Sequence, residues 1–137
     1  MSVASFDYDS TYAPPAPIVE IEIDGYHTSL ARRRLWAMVG SGADATMIPL
    51  EFLRAVGATF KETLWMRGVS GVRVEVDLYL VAICIGSILL RGLHVVAASA
   101  GSEALIGRDV LNQVVVTLDG PAAIVSVQSG DMQHPTV

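Results

Sequence analysis

The sequence predicts an all-β fold, a small closed or highly curved sheet of seven or eight short strands with two short helices. Three observations carry this prediction. Ile18-Val19-Glu20-Ile21-Glu22-Ile23-Asp24 and Val72-Arg73-Val74-Glu75-Val76-Asp77-Leu78 alternate apolar with charged residues, as strands with one face in a core do. Turn signals at Asp24-Gly25, Gly68 to Gly71, Gly86-Ser87 and Asp119-Gly120-Pro121 punctuate these runs at short intervals. Hydrophobic residues make up 52% of the 137 and charged residues 17%, a composition that packs a core and suits one domain.

Residues 1–16 are rich in Ser, Tyr, Asp and Pro and close on Ala13-Pro14-Pro15-Ala16-Pro17, so they are expected to be a flexible tail or extended arm ahead of a domain over 17–128. After the first alternating strand, a second over roughly Arg33 to Val39 leads through Gly40 into a Ser41-Gly42-Ala43 turn. Pro49 opens a short helix whose Leu50, Leu53 and Val56 recur at helical spacing, and Gly57 closes it. Thr59 to Met66 and the strand from Val72 flank the Gly68-to-Gly71 turn as a projecting hairpin. From Leu78 to Ile85 the alternation gives way to an apolar run, as in a strand passing from half exposed to buried. Ile88 to Ala98 forms another strand, and Gly107 separates a short strand from one and a half helical turns over Arg108 to Gln113. Val114 to Leu118 and Ala122 to Val127 complete the sheet, and 129–137 are expected to be a tail.

Composition narrows the function. A net charge of −5 and a single basic run, Arg32-Arg33-Arg34, argue against a nucleic-acid partner; those arginines fit a solvated turn between strands. The longest apolar stretch, Leu78 to Leu90, is interrupted by Gly86 and too short to span a bilayer, so no membrane partner is expected. The lone cysteine, Cys84, reads as an inert core thiol and leaves cytoplasm the default compartment. His27, His94 and His134 lack metal-ligand spacing, so neither a metal nor another cofactor is expected. So apolar a small chain is expected to bury further surface in a partner, most simply a second copy.

Two segments share a strand-turn-helix plan. The first is Trp36-Ala37-Met38-Val39-Gly40-Ser41-Gly42-Ala43-Asp44-Ala45-Thr46-Met47-Ile48-Pro49, and the second Leu105-Ile106-Gly107-Arg108-Asp109-Val110-Leu111. The first resembles the active-site loop of retropepsin-like aspartic proteases, in which two apolar residues precede Asp-Thr/Ser-Gly-Ala. The second resembles that family's apolar-apolar-Gly-Arg-Asp/Asn segment, and Val116 to Pro121 is similar to its bacterial members. With the hairpin between them, the likeness spans about Ile18 to Val127. It implies a closed barrel with a flap hairpin, working as a homodimer on peptide or protein substrates.

The resemblance also implies roles. Each subunit of such a dimer brings one aspartate to a two-fold axis; the pair shares one proton and activates water. Here Gly40 occupies that position, Ser41 brings its hydroxyl near the axis, and Gly42 admits substrate backbone. Ala43, Asp44 and the flap residues Gly68, Val69, Ser70 and Gly71 are expected to hold an extended peptide. Thr46, Gly107, Arg108 and Asp109 are expected to be structural, with Asp44–Arg108 a fold-stabilising pair. Asp24, Asp77, Asp109 and Asp119 fall at turns or strand exits, where Asp commonly bonds locally, and none replaces the missing carboxylate. Glycine has no proton to give or take, so the chain is expected to be an aspartic endopeptidase by family and catalytically dead as written. The intact surroundings of Gly40 favour a deliberate knock-out; a natural, non-enzymatic dimeric peptide-binding or scaffold module is the alternative.

Overall fold

The computed structural model describes residues 3–25, 32–67 and 70–130. In chain order these form β1 (Val3–Asp7), β2 (Ile18–Gly25), β3 (Arg33–Val39), β4 (Met47–Pro49), α1 (Leu50–Ala55), β5 (Thr59–Arg67) and β6 (Arg73–Ile85). They continue with β7 (Ile88–Ala98), β8 (Ala104–Ile106), α2 (Arg108–Leu111), β9 (Val114–Asp119) and β10 (Ile124–Ser129).

Seven strands form one sheet in the order β2-β3-β8-β4-β7-β6-β5, and a β2–β6 pairing closes the first six into a barrel. Closure leaves only β5 outside the ring, so the long β5–β6 hairpin projects from it. Val19, Ile21 and Ile23 of β2, Val81, Ile83 and Ile85 of β6, and Ile48, Leu53, Ile106 and Val110 fill the interior. The acidic face of β2 is not solvated alone. Glu20 and Glu22 bridge Arg34, and Glu22 and Asp24 bridge Arg32, at 3.2–3.8 Å. The basic run thus begins a strand instead of forming a solvated turn, because its charges match the neighbouring strand.

Helix α1 follows Pro49 directly, and Gly57 at φ 67° ends it in the left-handed conformation that glycine adopts without steric cost.

The N-terminal expectation needs correction. Residues 3–7 are not a flexible tail: β1 pairs antiparallel with β10, which pairs with β9, making a separate three-stranded sheet. Residues 8–16 loop back through an Asp9–Ala16 bridge, and the Tyr12 hydroxyl donates to the Glu103 carboxylate. The prolines prevent a continuous strand without preventing order, because the flanks supply the hydrogen bonds. At the other end, Ser129 belongs to β10, whereas 131–137 lie outside the described residues.

The arm carries its own pH signature. Its hydrogen bond to Glu103, with partial burial and the charges of Glu103 and Asp9, pushes the Tyr12 pKa up from 10.0 to about 12. A raised folded-state value makes this contact fully stabilising below the ordinary tyrosine pKa and lost as pH rises through about 12. In a phenolate-absorbance titration Tyr12 is expected to ionise at about 12, and Glu103→Gln to bring that value down toward 10.0. An unchanged titration would remove the Glu103 contact from the arm's anchorage.

Candidate active site

The two motifs meet because β3 and β8 run parallel, with Ala37 beside Ala104, Met38 beside Leu105 and Val39 beside Ile106. This register carries the chain past Val39 and past Ile106 at the same end of the barrel. The Gly40 amide donates to the Ile106 carbonyl at 2.9 Å, and the Ala43 amide donates back to Gly40 at 3.0 Å, closing the loop as a turn.

The Gly107–Arg108 segment clamps that loop. The Arg108 amide donates to the Ala43 carbonyl at 2.9 Å; its Nη1 donates to the Ser41 carbonyl at 2.9 Å, and its Nη2 pairs with Asp44. The Gly107 amide donates at 3.1 Å to the hydroxyl of Thr46, which is fully buried. That hydroxyl in turn donates to Asp109 Oδ1 at 2.7 Å, and the same oxygen accepts from the amides of Thr46 and Val110. Asp109 therefore reaches across 63 residues of sequence, not only to its own turn as its position suggests. Among the described residues its buried Oδ2 has no hydrogen-bond partner, so the network converges on one carboxylate oxygen.

Thr46 and Asp109 lock the two halves of the site to one another. Thr46→Val keeps the shape but leaves the Gly107 amide without its acceptor, and should cost about 1–3 kcal/mol. Urea unfolding measures it; a loss within the error of a neutral surface change would contradict the lock.

A cavity of about 590 Å³ lies over this loop. Gly40, Gly42, Ala43 and Asp44 form one side; Met47, Val96 and Leu105 extend it along the barrel; Met66, Arg67, Val74 and Val76 close it from the hairpin. Met66 faces Val74 and Leu64 faces Val76 across the hairpin, so one apolar face of the ribbon turns toward the loop. At Gly42 a side chain would meet nothing within 4 Å. At Gly40 it would meet Leu105, whose Cδ1 lies 2.6 Å from an ideal Cβ. Ser70 and Gly71 are exposed at the hairpin tip; Gly68 and Val69 lie outside the described residues.

Most of the apolar wall is not signalled by either motif. Leu105 stands in the second one but shows no role until the β3–β8 register places it against Gly40. Met47, Met66, Val74, Val76 and Val96 come from four strands that lie side by side in the order β4-β7-β6-β5, and become neighbours through that pairing. Among the described residues, no group of three His, Cys, Asp or Glu could hold a metal ion, and no helix is long and apolar enough to cross a membrane.

This architecture, a closed six-stranded barrel with two glycine loops clamped together beneath a hairpin, is that of the retropepsin-like aspartic proteases. The family model described as retroviral aspartyl protease matches residues 13–119, so the chain belongs to that family. Among solved structures, it is similar to the retropepsin-like aspartic protease from Rickettsia conorii, with a TM-score of 0.62 and 11% identity, covering 93% of each chain. It is similar also to the EIAV protease complexed with the inhibitor HBY-793, with a TM-score of 0.57 and 18% identity, over 71% of this chain and 86% of that one. Comparison with curated proteins found no match.

Proposed function

We propose that this chain is a retropepsin-type aspartic endopeptidase domain whose catalytic position holds Gly40, so that it receives an extended peptide and does not hydrolyse it. One observation carries this reading: Gly40 opens the clamped loop at the floor of an apolar cavity roofed by the hairpin. In an active form, aspartates from two copies would share a proton across a two-fold axis. The ionised member would take a proton from water while the protonated one polarised the scissile carbonyl. Ser41 and Gly42 flank that point, the Ala43 and Asp44 backbone and the flap residues Gly68, Val69, Ser70 and Gly71 hold the peptide, and Arg108 fixes the loop through Asp44.

The second copy is part of the proposal, since one chain supplies half a cleft. Among the described residues the outer edge of β9 has no strand beside it, and its Val115 and Leu118 are 48% and 54% exposed. A two-fold axis would bury the same residues from both copies. Sedimentation should give a homodimer at micromolar concentration, and a strict monomer would remove the shared cleft.

The family-like Ser41, Gly42, Ala43, Asp44 and Thr46 around Gly40 favour an inactivated form of an active protease. The Leu105 side chain filling the space beside Gly40 favours a second reading, a natural non-enzymatic dimeric peptide-binding module. Gly40→Asp separates them: restored cleavage of an unstructured protein, blocked by a statine-type inhibitor, supports the first, and a folded, dimeric, inert variant the second.

A further inference from the structure

A second cavity, of about 400 Å³, lies between the N-terminal arm and the outer face of β3. Leu35 and Ala37 of this strand are buried in the barrel, so Arg34, Trp36 and Met38 point out of it. The outer face of a barrel normally meets water, yet here Trp36 and Met38 join Ile18, Pro49 and Phe52 in one apolar floor. Trp36 remains 52% exposed, and Phe6 of β1 meets its ring edge-to-face at 5.9 Å, which orients the indole without covering it. This cavity shares no lining residue with the cleft over Gly40.

The arm forms the other wall and is held by its own bonds. The Asp9 amide donates to the Ala16 carbonyl at 2.8 Å, the Ala16 amide donates back at 3.1 Å, and the Tyr12 hydroxyl donates to Glu103 Oε2. Asp9 Oδ1 accepts from the amide and the hydroxyl of Thr11 at 2.9 and 2.7 Å. Asp9 and Glu103 both border the cavity, and each spends one carboxylate oxygen on the arm. Among the described residues, Asp9 Oδ2 and Glu103 Oε1 accept no hydrogen bond, and neither carboxylate makes an ion pair. Arg34 is the one cation on the lining among those residues, and Glu20 at 3.8 Å and Glu22 at 3.2 Å already engage it. The wall is therefore anionic beside an aromatic and aliphatic floor.

We propose that the cavity under the arm binds a small organic cation, an ammonium group carried on an aromatic or bulky aliphatic body. The body is held by burial against Trp36, Met38 and Phe52. The ammonium group donates charge-assisted hydrogen bonds to the unused oxygens of Asp9 and Glu103, and the exposed Trp36 face attracts the same charge. The volume falls within the range of about 300–1,000 Å³ that small-molecule sites occupy. This site stands whether or not the cleft over Gly40 receives a peptide.

Calorimetric titration of the unaltered chain compares phenethylammonium with 2-phenylethanol and 3-phenylpropionate, which keep the body and remove or invert the charge. Phenethylammonium should bind about tenfold tighter than the alcohol, with the propionate weakest. The amine-to-alcohol ratio should shrink as salt is raised and collapse toward one in Asp9→Asn/Glu103→Gln. Asp9→Asn alone leaves the Tyr12–Glu103 bond in place and should already lower the ratio. The only other tryptophan is Trp65, so in Trp65→Phe the amine should change the emission of Trp36. Butylammonium, the end of a lysine side chain, should bind less tightly because it leaves most of the floor bare. Equal binding of the three phenyl compounds, no binding of phenethylammonium, unchanged Trp36 emission or tighter binding of butylammonium would each overturn the proposal.

Discussion

Replacing Gly107 with alanine is expected to lower the unfolding free energy by about 3 kcal/mol. The added Cβ would lie 2.5 Å from the carbonyl carbon of Ala45, 2.6 Å from its oxygen and 3.0 Å from the oxygen of Ala43. All three are backbone atoms, so no side chain can rotate away. The loop cannot retreat either: Ala43 is held by the Arg108 amide, Ser41 and Asp44 by its guanidinium, and Thr46 by Asp109. Gly107 has φ −97°, which any residue adopts, so its requirement is space and not backbone freedom. Gly42→Ala is the control. Nothing lies within 4 Å of its would-be Cβ, and it should change stability by no more than ~0.5 kcal/mol. Urea midpoints at constant slope measure both; equal effects would contradict the clamped-loop account.

Gly40→Asp should have the largest functional effect. An acid–base pair alone contributes about 10²–10⁴ in rate, and here it would also generate the nucleophile, so cleavage should rise from background by more than that. The replacement has a structural cost. Its Cβ would fall 2.6 Å from Leu105 Cδ1 and 3.0 Å from Leu105 Cγ, so Leu105 must turn aside. Because the obstacle is the end of a flexible side chain, the cost should be about 1–3 kcal/mol. Leu105→Val in the Gly40→Asp background should recover part of it. Activity should be bell-shaped in pH, because the dyad works with one proton: it is lost when both carboxylates are protonated in acid and when both ionise toward neutral pH. A variant equally active at all pH values would not be using a dyad.

Both motifs were legible in the sequence because each is short, local and rich in residues with restricted roles. The barrel followed from strand alternation and turn spacing, and the hairpin from glycines between two apolar runs. What joins them was not legible. The parallel β3–β8 register is a long-range pairing that no local pattern encodes; it brings Gly40 to Ile106 and, with the β4–β8 pairing of Met47 and Leu105, Thr46 to Asp109. β1 was missed because Val3-Ala4-Ser5-Phe6-Asp7 is short, while the prolines after it dominate the composition. Its strand conformation is fixed by β10, more than a hundred residues away. The cleft walls were hidden for the same reason: Met66, Val96 and Leu105 are ordinary core-type residues until long-range strand pairing sets them around one space.

The central claim is that Gly40 occupies the catalytic position of a site otherwise built for peptide hydrolysis. It is tested most directly by the initial rate at which purified Gly40→Asp cleaves casein across acid and neutral pH, beside the unaltered chain. The account predicts cleavage by the variant with an acidic optimum, abolished by a statine-type inhibitor, and none by the unaltered chain. A folded, dimeric variant that leaves casein intact at every pH, or an unaltered chain that cleaves it as fast, would contradict it.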